Sequence, residues 1–330
     1  MDIIKVTALP EVMNISNKSS IKCSSYAIMA PIVTFSMILS ILCVIVTIMV
    51  YIIVSESKTL HGKILMSFSG CLGSMYFFVF LDVYLQPFLS LPACVAIGIV
   101  TYIMLIATFF WLNIMAYDIW KTICSSTGSA NSKHSKKYLR YSVYAWTSTI
   151  LTCIPLIVVQ NTNLVPEAFH PGIGKRNCWF NGFVGARIFM SAPTGVILLS
   201  NLVMFVLTIK SLVQINKMTQ TFQIRENNIQ FKLYFKLFLI MGLVWMTDFF
   251  PIMFKNCHLY LVSDFLNCLH GFFLFVIFIC KKKIIKQFFE FFKNCGCSPL
   301  CRKSSFHLST QNLQKCQEEK GSFNNFSTDF

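Results

Sequence analysis

Seven segments of this chain are long and apolar enough to cross a membrane: 26–54, 62–85, 93–120, 141–159, 187–209, 233–254 and 259–280. A membrane helix needs about 20 mostly apolar residues, because each residue advances only about 1.5 Å across the hydrocarbon. The ionisable residues inside these segments, among them Asp82, Asp118, Asp248 and Asp264, fall near an end. Pro87 and Pro92 mark the short loop that separates the second segment from the third. Backbone polar groups in lipid must bond within the protein, and no segment alternates with the period-2 pattern of a membrane barrel, so the segments read as helices. Composition agrees: 55% of residues are hydrophobic and only 12% charged, against about 25% charged in an ordinary globular protein. Soluble enzymes, soluble DNA-binding proteins and disordered chains are excluded. The expected fold is an all-α integral membrane protein, a seven-transmembrane helix bundle followed by a short amphipathic eighth helix. No inverted internal repeat of the transporter kind is visible.

The net charge of +15 reports topology and not nucleic acid. With the N-terminus outside, 21 basic residues lie in inner loops, inner helix ends and the tail, against seven on the outer side. Short loops rich in Lys and Arg stay in the cytoplasm. The expected placement is a multi-pass plasma-membrane protein with residues 1–25 outside. Asn14 and Asn17 each open an Asn-X-Ser triplet there and are glycosylation candidates. Residues 1–25 lack the apolar core of a cleavable signal, so the first helix is expected to direct insertion.

Cys23, Cys94, Cys178 and Cys257 fall on the outer side, where disulfides form. A bridge between Cys94 and Cys178 would pin the long fourth-to-fifth loop over the bundle; two free thiols are the alternative. Cys23 and Cys257 are either a second pair or both free. Cys43, Cys71, Cys153, Cys268 and Cys280 read as small apolar packing residues. Beyond the seventh segment, Ile284, Ile285, Phe288, Phe289, Phe291 and Phe292 share one helical face, and Lys286, Gln287, Glu290 and Lys293 the other. Residues 281–294 therefore read as a basic amphipathic helix on the inner leaflet, with 295–330 as a cytoplasmic tail. Cys295, Cys297 and Cys301 are palmitoylation candidates. A zinc site with His307 matches no common spacing, and unmodified thiols are the third reading.

Ionisable and polar residues within spans usually face a partner. Asp118 either locks a resting state through Lys121 or Arg140, or sits solvated at the interface. Asp82, Asp248 and Asp264 lie near the outer mouth, either drawing a cationic or peptide ligand or forming a hydrated rim. Trp245 is a candidate pivot in the sixth helix, or an ordinary packing residue. Pro155, Pro193 and Pro251 are potential kinks, and Asn113, Asn201, Asn267 and His270 should make interhelical bonds. No phosphate loop, HExxH or serine–histidine–acid set is present, so no enzyme activity, cofactor or metal is expected.

Several strings carry a family resemblance. Leu60-His61-Gly62-Lys63 opens the second helix, and Phe109-Phe110-Trp111-Leu112-Asn113-Ile114-Met115-Ala116-Tyr117-Asp118-Ile119-Trp120 closes the third. Cys178-Trp179-Phe180, Pro193-Thr194-Gly195 with Asn201, Gly242-Leu243-Val244-Trp245 and Leu269-His270-Gly271-Phe272-Phe273 follow in order. The chain resembles the insect Methuselah-like receptors, a secretin- and adhesion-like class of G-protein-coupled receptors, from about Tyr26 to Lys286. The resemblance implies a receptor that binds an extracellular ligand, expected to be a peptide, and couples to a heterotrimeric G protein. It also implies the Cys94–Cys178 bridge and an inner mouth that opens when the sixth helix swings out. Lys210, Lys217, Arg225, Lys232 and Lys236 flank that mouth, either meeting the G protein or only enforcing topology and touching anionic lipid. Two departures stand out: family members usually carry a large cysteine-rich ectodomain before the first helix, where this sequence has residues 1–25, as expected of a truncated gene model, a short isoform or a diverged member, and His270 stands where the family usually has Gln. The alternative reading, a seven-helix ligand-gated cation channel of the insect chemoreceptor type, requires the N-terminus inside and conflicts with the charge distribution.

Overall fold

A computed structural model describes residues 26–124, 134–162, 165–175, 177–218 and 257–296. The sixth segment, with Trp245 and Asp248, lies outside the described residues, as do Asn14, Asn17, Cys23, Arg225, Lys232, Lys236, Pro251, Cys297 and Cys301.

Four long helices come first: α1 (Tyr26–Ile53), α2 (Leu60–Leu85), α3 (Leu91–Cys124) and α4 (His134–Asn161). A four-residue turn of helix (Phe183–Ala186) and a π turn (Arg187–Ser191) lead into α5 (Ala192–Met218). The seventh segment is two helices, α6 (Cys257–Cys268) and α7 (His270–Phe278). Five stretches among the described residues are long and apolar enough to span a bilayer, the fifth running from Val184 to Ser211.

Helices α2 and α3 form the centre. Half of the apolar window of each is buried, against 22% for α4 and 28% for the α5 stretch. Phe68, Leu72, Met75 and Tyr76 on α2 and Leu105, Phe109 and Trp111 on α3 are all at most 1% exposed. Phe35 and Leu42 on α1, Leu151 on α4 and Val196 and Leu199 on α5 face outward. Such an apolar exterior is unfavourable in water and suited to hydrocarbon.

The N-terminal end of α2 is a built stop. Thr59 caps it, its hydroxyl oxygen accepting from the Gly62 N–H at 2.9 Å. Ser55 takes a left-handed conformation (φ 60°) to turn the chain out of α1.

Two irregular stretches follow from backbone chemistry. Pro193 has no N–H, so the Phe189 carbonyl four residues earlier loses its helical donor. The backbone widens into the π turn there, and the Tyr102 hydroxyl on α3 donates to that carbonyl. Pro193 thus belongs to the first turn of α5, where proline is well accommodated, and the potential kink at Pro193 takes the form of a π turn at the helix entrance. The seventh segment breaks at Leu269 without any proline. The two carbonyls freed near the break are taken from neighbouring helices: Ser40 Oγ of α1 donates to Cys268 O, and Tyr76 OH of α2 to Asn267 O. His270 starts α7 with its Nδ1 3.3 Å from the same Tyr76 hydroxyl. Gly271 makes this junction possible, since a Cβ there would collide with the Ser40 carbonyl.

The helix Lys282–Gly296 (α8) is a separate unit. Its phenylalanines Phe289 and Phe291 are exposed, and Lys286 pairs with Glu290 at 3.8 Å on the polar face.

Gly271→Ala should force α7 from α1 and cost about 1–3 kcal/mol, the usual range for overpacking. Thermal unfolding of the detergent-purified chain measures it; an unchanged midpoint would show that the contact is not tight.

Candidate functional site

The 34 residues of α3 span about 50 Å, more than the roughly 30 Å hydrocarbon core. Both ends therefore emerge from the apolar layer, and each carries a polar assembly.

At the N-terminal end, Cys94 in the first turn of α3 is joined to Cys178 by a disulfide, with Cα atoms 4.8 Å apart. Gly98, one turn further, lets the loop lie against the helix, because a Cβ there would meet the Cys178 carbonyl. The loop is braced from within. Gln160 at the end of α4 donates to the Ile173 carbonyl at 2.9 Å and accepts from the Ile173 N–H at 3.2 Å. Asn181 Nδ2 donates to the Gly172 and Trp179 carbonyls at 3.0 Å each, and Gly172 and Gly174 supply the positive φ angles the turns require. Lys175 pairs with Glu167 at 2.7 Å on the surface. The Lys175 hydrogen bond holds the Glu167 carboxyl below its ordinary range. Stability from this pair is present above the unfolded carboxyl's pKa and lost as pH falls through the lowered folded value; both groups are solvated, so the contribution is small. Trp179 and Phe180 turn inward and are nearly buried, with Phe180 edge-on to Tyr102 at 5.7 Å.

This folded loop changes the expected picture of the mouth. Asp82 on α2 and Asp264 on α6 are 2% and 1% exposed. They are interior carboxylates and not members of a hydrated rim, and the Cys178 backbone lies against Asp82.

Toward the C-terminal end of α3, Asp118 is buried and paired. Lys137 Nζ lies 2.9 Å from its Oδ1, and Tyr141 OH donates to the same oxygen at 3.0 Å. This corrects the expected partners, Lys121 and Arg140. Lys121 turns to Tyr117 on its own helix, 3.5 Å from the hydroxyl and 5.6 Å from the ring centroid. The difference arises because α4 begins at His134, not 141. That extra helix puts Lys137 and Tyr141 four residues apart on one face, where both reach Asp118. The sequence signal existed as a lysine and a tyrosine at that spacing, but it lay before the apolar run. His61, at the start of α2, lies within electrostatic range of Asp118 and of Lys281.

Between the two ends, Asn113 of α3 donates to Asn201 of α5 at 2.8 Å and to Ser200 at 3.2 Å, and accepts from Tyr144 of α4 at 3.3 Å. The expected interhelical role of both asparagines is met, each bond worth about 0.6–2 kcal/mol. Cys71, Cys153 and Cys268 are buried as expected, whereas Cys280 is exposed. Lys210 and Lys217 belong to the C-terminal half of α5, and Cys295 to the end of α8.

Cys94→Ala and Cys178→Ala should each destabilise the chain by about 2–5 kcal/mol, and the double variant should fall no further. Non-reduced peptide mapping should recover the two cysteines linked; additive losses, or both thiols alkylated in folded protein, would contradict the bridge.

Residues 26–274 match the family model of the 7 transmembrane receptor, Secretin family. Among curated relatives, G-protein coupled receptor Mth of Drosophila melanogaster is 29% identical over 267 residues, covering 76% of this chain and 51% of that protein. Probable G-protein coupled receptor Mth-like 4 of the same fly is 30% identical over 270 residues, covering 77% and 51%. G-protein coupled receptor Mth2 of Drosophila yakuba is 27% identical over 264 residues, covering 76% and 49%. The chain spans about half the length of the curated relatives it matches. The match replaces the channel alternative and is to receptors, not enzymes. The chain belongs to the secretin family of seven-transmembrane receptors.

Proposed function

We propose that this chain is the transmembrane unit of a Methuselah-like receptor that carries an extracellular signal, delivered by a peptide, across the plasma membrane to a heterotrimeric G protein. The observation that carries the reading is α3. It is tied at its outer end to the Cys178 loop and held at its inner end by Lys137 and Tyr141 through Asp118. A ligand that moves the loop acts on one end of a continuous helix whose other end is latched to α4. Two packings of such a bundle, favoured differently by ligand and G protein, are what a transmembrane receptor requires.

In this reading the bundle has seven spans, with the sixth at 233–254 and the seventh at 259–280. Residues 1–25 are extracellular and glycosylated at Asn14 and Asn17. Residues 281–294 lie on the inner leaflet and 295–330 are cytoplasmic. The apolar face of α8 and its lysines suit an anionic lipid surface, and palmitate on Cys295, Cys297 or Cys301 reinforces the anchor. Lys210, Lys217, Arg225, Lys232 and Lys236 supply the basic margin of the G-protein face; the excess of basic residues on the inner side supports this.

Membranes containing the chain should accelerate guanine-nucleotide exchange on at least one member of a G-protein panel over receptor-free membranes. Joint replacement of those five basic residues by alanine should lower the exchange several-fold at equal surface expression. No exchange above the receptor-free level with any G protein would contradict coupling; exchange unaffected by the alanines would assign them to topology and lipid alone.

A further inference from the structure

We propose that Asp82, enclosed beneath the disulfide-tethered outer loop, is the binding group for a compact cation, either a free alkali-metal ion or the primary ammonium of an extracellular ligand. Asp82 lies one turn from the outer end of α2 and is 2% exposed. Neither carboxylate oxygen accepts a hydrogen bond from any described residue. The backbone N–H of Cys178 faces the carboxylate without closing a hydrogen bond to it. The neighbouring lysine of the loop, Lys175, is engaged by Glu167 on the surface. A second buried acid, Asp264 on α6, sits in the outer half of the same bundle, one turn above the Asn267 carbonyl that Tyr76 of α2 reaches.

A buried carboxylate without hydrogen bonds or an ion pair is costly in either protonation state. Ionised, it lacks the countercharge that replaces its hydration. Protonated, its hydroxyl has no side-chain partner among the described residues. A compact cation between the two oxygens removes both defects, and charge favours its entry into a half-bundle holding two buried acids. The setting also selects against bulk. Cys178 is covalently fixed over α3, Gly98 lets its carbonyl contact that helix, and Trp179 and Phe180, which follow it, are themselves buried. A guanidinium or quaternary ammonium needs more room than an alkali ion or a primary ammonium. The proposal rests on the receptor reading only for the source of an ammonium; binding itself is read without a G protein, so each fails independently.

The test is thermal unfolding of the detergent-purified full chain, titrated at constant ionic strength with sodium chloride or methylammonium chloride against N-methylglucamine chloride. Ligand that binds only the folded state should raise the midpoint saturably, by about 2–5 °C. A larger shift with methylammonium assigns the site to a ligand's ammonium group, and a larger shift with sodium to the free ion. In Asp82→Asn, neutral and nearly isosteric, the rise should vanish with the protein still folded; Asp82→Ser serves if the asparagine variant does not fold. A wild-type midpoint that responds to neither cation, or a rise that persists in the variant, overturns the proposal.

Discussion

Every backbone N–H and C=O inside hydrocarbon has to find its partner within the protein, and the irregular parts of this bundle are organised around that demand. Pro193 removes a donor, and Tyr102 of a different helix supplies one to the Phe189 carbonyl. The break at Leu269 frees carbonyls that Ser40 and Tyr76 take from α1 and α2. Within regular helix the short polar side chains meet the same demand locally. Thr47, Thr101, Thr108, Thr149 and Thr208 each donate to the carbonyl four residues back, so their hydroxyls present no bare polar group to lipid or core. The result ties α1, α2 and the seventh segment together, and α3 to the entrance of α5, through bonds that begin as repairs.

The third helix gathers the functional consequences. Tyr102, Asn113 and Asp118 face α5 and α4 from successive levels of one rod, and Cys94 ties the same rod to the outer loop. Cys94 and Asp118 are separated by about 36 Å at the rise of an α-helix, more than the roughly 30 Å of the hydrocarbon core. In the ion pair at Asp118 the carboxylate side chain is 8% exposed and the Lys137 side chain 29%, so breaking the pair leaves a nearly buried carboxylate with the Tyr141 hydroxyl as its remaining donor. In the proposed receptor reading, this pair is the contact that a bound partner would have to break.

Much of this was readable from sequence because lipid imposes a simple rule of length and apolarity. The first, second and third helices begin and end within a few residues of their expected bounds. The rule stops where charge starts, and that is where it misses. Helix α4 continues back to His134 through Lys136 and Lys137, good helix formers beyond the apolar run, so the true partner of Asp118 was hidden in an apparent loop. The break at Leu269 carries no proline, and its only sequence mark is Gly271, whose importance depends on which residue of α1 it faces. The burial of Asp82 depends on how the Cys178 loop folds down, a long-range matter that neither periodicity nor spacing encodes.

The central claim is that Asp118 and Lys137 restrain the inner end of α3 as a pair, and a charge exchange tests it most directly. Basal guanine-nucleotide exchange is measured in membranes carrying Asp118→Lys, Lys137→Asp or both, at matched surface expression. The account predicts that each single reversal raises the basal rate and that the double reversal, which restores an opposite-charge pair, returns it toward wild type. Single variants with an unchanged basal rate, or a double variant as active as either single, would contradict it.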